Sequence, residues 1–335
     1  MADLTNIINQ TFPTKCVVII GDLVADQFLN GTISRVSREA PVFILRHDTT
    51  KTVPGSAANA AVNVASLGGK PVLIGLAGED ANGGLLLDAL RESGIATDNI
   101  VTDASLTTTT KVRVLAGQHY AARQQVIRID YEASPDLDAA TKQKLRDSLK
   151  AAGPNADAII ISDYNYGAVF PEIFADALAI SQARGIPLVV DSRFRLESFI
   201  GATSATPNSD EVAQILGEDF TSDDCGQLCE RLGLKALLVT NGNRGVQLFE
   251  SGQSPLQINA VGGAEPVDVT GAGDTVIAAY TLGLASGMSF AEAAKIANHA
   301  GGIVVMKKGT ASVTAAELTT SIAENNDPAV ANHAK

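Results

Sequence analysis

The sequence predicts an α/β protein: a Rossmann-like open, mostly parallel sheet with helices on both faces, plus a small β-sheet projecting from it. Three observations carry that expectation. Short β-branched runs alternate with helical stretches along the chain, the pattern of parallel strands joined by crossover helices. Those runs are continuously apolar, as strands covered on both faces are. Two stretches break the rhythm, residues 31–55 (GTISRVSREAPVFILRHDTTKTVPG) and 107–132 (TTTTKVRVLAGQHYAARQQVIRIDYE). They alternate polar and apolar residues, like antiparallel strands with one wet face.

Taken in order, CVVIIGD (Cys16–Asp22) reads as a buried strand ending in a Gly-Asp turn. GSAANAAVNVASLG (Gly55–Gly68) carries Ala and Val at helical spacing and closes on glycine. PVLIGLAG is a strand, followed by the helix NGGLLLDALRESG. ADAIIISD (Ala156–Asp163), IPLVVDS (Ile186–Ser192) and KALLVTNG (Lys235–Gly242) are strands, each with a helix before or after it. The organisation expected is one domain over residues 1–323, the two alternating stretches forming a lid. Residues 324–335 are polar and read as a frayed tail.

Composition narrows the function classes. The chain has 335 residues, 45% hydrophobic, and a net charge of −12, a surface that repels phosphate backbones and argues against a nucleic-acid partner. The first fifteen residues lack a basic start followed by an apolar run, so no signal peptide is read there. No apolar run reaches the ~18 residues that span a bilayer. Cys16, Cys225 and Cys229 are its only cysteines, which fits a reducing cytoplasm, with the last two packing rather than binding metal. His47, His119 and His299 read as capping or packing residues.

The candidate chemistry lies at DVTGAGDT, Asp268–Thr275, directly before the apolar run VIAAYTLGLASG. Gly271-Ala272-Gly273 leaves backbone N–H groups bare at a helix start, where unpaired donors and the helix dipole favour an anion. Asp274 inside the first turn suits a group that receives a proton from the bound partner. A glycine-rich turn with an Asp cap reads the fragment equally well. In an open parallel sheet the ligand sits beyond the carboxyl ends of the strands. The expected exits carry Gly21-Asp22, Asp163, Asp191, Asn208 and Thr240-Asn241-Gly242, a row that favours a site along one edge. Neither G-x-x-x-x-G-K-[ST] nor a G-x-G-x-x-G after the first strand is present, which disfavours a P-loop NTPase and a simple dinucleotide dehydrogenase.

Four motifs in order give a family resemblance: PGSAANAAVNVASLG, TPNSDE, TNGNRG and DVTGAGDTVIAAY. Over nearly its whole length the chain resembles the ribokinase-like (PfkB) carbohydrate kinases. The phrases SRVSREAPV, TTTKVRVL, QQVIRIDYE and SDYNYGAV are similar, within that family, to the kinase domain of D-glycero-β-D-manno-heptose-7-phosphate kinases. The nucleotidyltransferase domain often fused to those kinases is not expected here. One departure is Gly55-Ser56, where the family usually has a glycine pair before the sugar-site helix.

The resemblance implies an ATP- and Mg²⁺-dependent sugar kinase. Asp274 would take the sugar hydroxyl's proton, and Gly271, Ala272 and Gly273 would form the anion hole for the γ-phosphoryl. Asp26, Gly55, Asn59 and Asp163 would lie on the sugar side. Asn208 and Glu211 would organise Mg²⁺ and its water shell, while Thr240, Gly242, Gly245 and Asn298 would line the adenosine side. Asp268 would either neighbour a monovalent cation such as K⁺ or cap a turn. The lid would cover the sugar or join two copies in a homodimer.

A charge anomaly refines the acceptor. The lid stretches carry Arg35, Arg38, Arg46 and Lys51, then Lys111, Arg113, Arg123 and Arg128, in a chain otherwise acidic. Arginine's planar fork suits phosphate oxygens, so Arg38, Lys111 and Arg113 are expected near a phosphate already on the sugar. A solvated sheet face accounts for such residues too. An unphosphorylated sugar or a nucleoside as acceptor, and a catalytically silent sensor on the same fold, are the alternatives.

Overall fold

The computed structural model describes residues 4–117, 123–132, 136–263 and 265–326. Its strands are β1 (Cys16–Gly21), β2 (Leu23–Val36), β3 (Phe43–Ser56), β4 (Lys70–Gly78), β5 (Ile100–Asp103), β6 (Thr110–Gly117) and β7 (Gln124–Tyr131). They continue with β8 (Ala158–Asp163), β9 (Leu188–Ser192), β10 (Ser204–Ala205), β11 (Ala236–Thr240), β12 (Val246–Glu250) and β13 (Leu256–Ile258). Among the described residues, nine form one sheet in the order β13-β12-β11-β10-β9-β8-β1-β4-β5. Pairing is parallel from β5 to β11, and the edge strands β12 and β13 add on antiparallel.

The continuous apolar runs explain the two-faced burial. Along β1 and β8, Val17, Ile19 and Ile160 enter one core, while Val18, Ile20, Ile159 and Ile161 enter the other. The first core is roofed by helices Ala57–Ser66, Ala272–Ala285 and Phe290–Val304, the second by Ala139–Ala152, Pro171–Arg184 and Ser222–Arg231. Ala272–Ala285 is buried from Asp274 to Gly283 without a wet face, so its polar first turn is held inside the molecule. Cys225 and Cys229 pack in the second core. No helix among the described residues is long and apolar enough to cross a membrane.

The projecting sheet has the order β3-β2-β6-β7. It differs from the sequence expectation in two respects. It begins at Leu23, since β2 leaves the core directly after β1. The central pair β2/β6 is parallel, while β2/β3 and β6/β7 are antiparallel. The physical reason is the connection: two helices and two core strands intervene between β3 and β6, and a crossover of that length returns the chain in the same direction. At the other terminus helix Ala315–Asn326 replaces the start of the expected tail, and residues 327–335 lie outside the described residues. His119 also lies outside them, whereas His47 bonds Thr50 and His299 bonds Ser321.

Candidate active site

The helix Ala272–Ala285 starts from Gly271, whose φ of 78° places it in the left-handed region. A Cβ there would come within 2.5 Å of the Asn59 amide, so only glycine lets the turn close against helix Ala57–Ser66. Gly273 differs: nothing lies within 4 Å of a Cβ built on it. Its missing side chain opens space at the helix start, a place that favours an anion, although the Ala272 N–H there donates to Val269 O at 3.2 Å.

Asp274 follows, 4% exposed. Asn59 Nδ2 donates to its Oδ2 at 2.8 Å, and the Tyr164 hydroxyl donates to its Oδ1 at 3.2 Å. Burial pushes its carboxyl up to about 7; the Asn59 bond, Tyr164 and Lys111 pull down, and the charge of Asp26 pushes up. A carboxylate poised near neutrality at the mouth of an anion hole can accept a proton.

Two cavities meet at this helix start. One, of about 590 Å³, is polar and lies under the projecting sheet, lined by Asp26, Ser56, Lys111, Arg113, Arg128, Tyr164, Asp191, Arg193, Asn208, Glu211 and the loop Thr270–Asp274. The second, of about 220 Å³, is largely apolar, with Val246, Val261, Val269, Val276 and Val305 in its walls. Thr240, Gly242, Val269, Ala272 and Gly273 border both. A larger groove of about 770 Å³ runs beside them, but neither Asp274 nor the glycine loop lines it.

Charge in the polar cavity is divided by partners. Arg113 pairs with Asp26 at 2.5 Å, both side chains almost buried, and Arg128 pairs with Asp130. Lys111 has no ion pair among the described residues. Its ammonium lies 6.0 Å and 5.5 Å from the ring centres of Tyr164 and Tyr166, and burial holds its pKa below the ordinary lysine value. Arg193 has none among them either and lies over Phe194. Opposite them, Asn208 and Glu211 form a capping box at the start of helix Ser209–Leu216. Burial raises the Glu211 carboxyl. It raises Asp191 further, helped by the charges of Glu211 and Asp274.

The pfkB family of carbohydrate kinases matches residues 15–316. This chain belongs to that family. Among relatives, it is 39% identical over 312 residues to the bifunctional protein HldE of Azorhizobium caulinodans, covering 91% of this chain and 64% of that one. The HldE of Caulobacter vibrioides is 39% identical over 320 residues, covering 92% and 64%. The chain therefore spans less than two thirds of the length of these relatives. In structure it resembles Arabidopsis thaliana ribokinase complexed with ribose and ATP (TM-score 0.69, 22% identity, 92% and 98% covered). It also resembles Escherichia coli phosphofructokinase-2 in complex with potassium (TM-score 0.72, 19% identity, 92% and 98% covered).

In this pfkB-family chain, Asp274, the glycine loop, Asp26, Lys111, Arg113, Asn208 and Glu211 converge on the polar cavity. Thr240, Gly242, Gly245 and Asn298 line the apolar one. Asn298 donates to Asn259 O and so fixes a wall, and a Cβ on Gly245 would strike Ile258 O at 2.1 Å. Three expectations need correction, those for Arg38, Asp163 and Asn59. Arg38 is exposed in the β2–β3 turn and lines neither cavity, because the lid's tip projects past the site. Asp163 is turned inward, its carboxylate taken by Arg195 and by the Ser192 hydroxyl. Asn59 has both ends of its amide engaged, by Asp274 and Asn63, so it holds the carboxylate instead of facing the cavity. Gly55 makes room for Asp26, whose Oδ2 would lie 2.7 Å from a Cβ. Asp268 is a turn clasp: Thr270 N and Gly309 N donate to its two oxygens and, against the cost of burial, hold its carboxyl below the usual range.

Sequence reasoning passed over Tyr164, Asp191 and Arg193 as site residues. Asp191 stood in the row of strand exits, and Arg193 is two residues beyond it. Tyr164 directly follows the exit acid Asp163.

Proposed function

We propose that this chain uses ATP to phosphorylate a hydroxyl of a sugar that already carries a phosphate, with heptose 7-phosphate as the acceptor and a heptose 1,7-bisphosphate as the product. The observation that carries the reading is Asp274, buried beside the open Gly273 at the junction of a polar and an apolar cavity. The apolar cavity suits an adenosine and the polar one a sugar. Asp274 takes the proton of the acceptor hydroxyl as its oxygen attacks the γ-phosphorus. The bond to the bridging oxygen of ADP breaks, and the N–H groups of Gly271 and Gly273 stabilise the charge on the transferring group, while the Ala272 N–H donates to Val269 O. Asp191 and Glu211, two raised carboxyls with no ion pair among the described residues, fit a divalent cation such as Mg²⁺ with its water shell, held with Asn208. Such an ion would neutralise phosphate charge during transfer. Asp268, clasping residues 270 and 309, is the proposed neighbour of a monovalent cation, for which activity with and without K⁺ is the test.

The phosphate preference rests on Lys111 and Arg193, the two cations lining the polar cavity without an acid partner among the described residues. The test is a phosphorylation screen with ATP and Mg²⁺ over phosphorylated and free sugars. Lys111→Met and Arg193→Ala should each lower kcat/KM for the phosphorylated sugar roughly 10–150-fold, the worth of a charge-assisted contact, and spare the free one. A free sugar preferred by the wild type refutes the phosphate reading. On the opposite face of the lid, Ile127, Ile129 and Tyr131 are 42–54% exposed, and a second copy of this chain is the proposed cover, read by sedimentation at micromolar concentration.

A further inference from the structure

The chain that leaves β8 folds tightly around one acid. Asp22 accepts from the backbone N–H of Tyr164, Tyr166 and Ala168, at 2.7, 3.0 and 3.0 Å. Asn165 at φ 63° and Gly167 at φ 106° allow the chain to turn that closely. The anchored loop delivers two tyrosines in different directions. Tyr166 gives its hydroxyl to Glu132, just past β7 in the lid, and Tyr164 gives its hydroxyl to Asp274.

The other oxygen of Asp274 is already fixed. Thr275 Oγ1 and Val313 N both donate to Asn63 Oδ1, so Asn63 presents its Nδ2 to Asn59 O and Oδ1. Asn59 must then present its own Nδ2 to Asp274. One held oxygen leaves the carboxylate able to turn about its Cβ–Cγ bond, and a second donor is needed to set its plane. We propose that Tyr164 is a positioning residue for the base: its hydroxyl sets the plane of the Asp274 carboxylate, leaving a lone pair aimed at the acceptor hydroxyl. This rests on the reading of Asp274 as the base.

Other charged groups around Asp274 come from different elements: Asp26 with Arg113 and Lys111 from the lid, Asp191 from the end of β9 and Glu211 from helix Ser209–Leu216. None of them changes when Tyr164 becomes phenylalanine, which keeps the ring beside Lys111. Loss of a donor to a carboxylate disfavours its charged form. In Tyr164→Phe the Asp274 carboxyl should therefore titrate at a pH roughly 0.5–1 unit higher than in the wild type. The readout is the ¹³Cγ resonance of Asp274 in ¹³C-aspartate-labelled protein, assigned by its loss in Asp274→Asn. With substrate, the acid limb of kcat against pH should move up by the same interval, so that the variant loses more activity at pH 6.5 than at pH 8.5. An unmoved ¹³Cγ midpoint in folded Tyr164→Phe overturns the proposal. Turnover retained by Asp274→Asn would overturn the base reading instead, and the two failures are read from different proteins.

Discussion

Replacing Asp274 by asparagine should inactivate the protein and stabilise it at the same time. In the folded chain burial raises the carboxyl from an ordinary value of 3.8 to about 7. Well below pH 3.8 it is neutral in both folded and unfolded chains and contributes no penalty. As pH rises from 4 to 7 the unfolded chain ionises first, so folding must hold that group protonated or bury its charge. The penalty is complete above pH 7. About three pH units at ~1.4 kcal/mol each give roughly 4 kcal/mol. Asparagine keeps the shape and removes the charge. Its Oδ1 can accept from Asn59 and its Nδ2 can donate to the Tyr164 hydroxyl oxygen, so the change costs only the acceptor of the Tyr164 hydrogen. In a domain of this size 1 kcal/mol moves the melting temperature by about 2 °C. Asp274→Asn should thus melt roughly 4–8 °C above wild type at pH 8.5 and nearly level with it at pH 4, while kcat falls by about 10²–10⁴-fold. Calorimetry across pH, with a coupled ADP assay, measures both. A variant less stable than wild type at pH 8.5, or a gain independent of pH, would show that the carboxylate carries no burial penalty.

The two loop glycines should fail differently: Gly273→Val should fold and bind ATP poorly or in a mis-set position, with phosphoryl transfer blocked, since its side chain enters open space. Gly271→Ala should lower the melting temperature as well, because its Cβ meets Asn59 and φ is 78°; equal melting temperatures for the two variants would refute the distinction. Ser56 lines the polar cavity at φ 55°, ψ −129°, a backbone state that costs a non-glycine residue about 1–3 kcal/mol. Ser56→Gly should melt higher and accept bulkier sugars, and an unchanged melting curve would show no strain there. Arg113→Ala should leave the buried Asp26 unpaired and cost about 3–5 kcal/mol in stability, lowering activity on phosphorylated and free sugars alike; a loss confined to phosphorylated sugars would place Arg113 on the phosphate instead.

What the sequence made legible was local. The glycine loop, the base and the helix behind it lie within fifteen residues, and their order already states that an anion and a proton acceptor share one helix start. Thr240, Gly242 and Gly245 were legible for a similar reason, as a turn between adjacent strands. The side chains that depend on pairing between distant segments were not. Asp163 and Asp191 look equivalent in sequence, each an acid closing an apolar run. In the sheet β8 and β9 run parallel with Asp163 beside Ser192 and Ser162 beside Asp191. Because side chains alternate across a strand, that register puts the two acids on opposite faces. Asp163 turns toward Ser192 and Arg195 and closes a buried ion pair, whereas Asp191 enters the polar cavity. A slip of one residue between the strands would put both acids on one face. Asn59 follows the same rule: Asn63, one turn later, takes its Oδ1, so its Nδ2 goes to Asp274 and neither end of the amide is left for a sugar. The lid's basic residues divide along the same lines, since Arg113 and Arg128 meet acids on neighbouring or identical strands while Lys111 meets two rings from the loop that Asp22 anchors. Residue type therefore announces a charged site, and strand register decides which of the charges remain free to serve it.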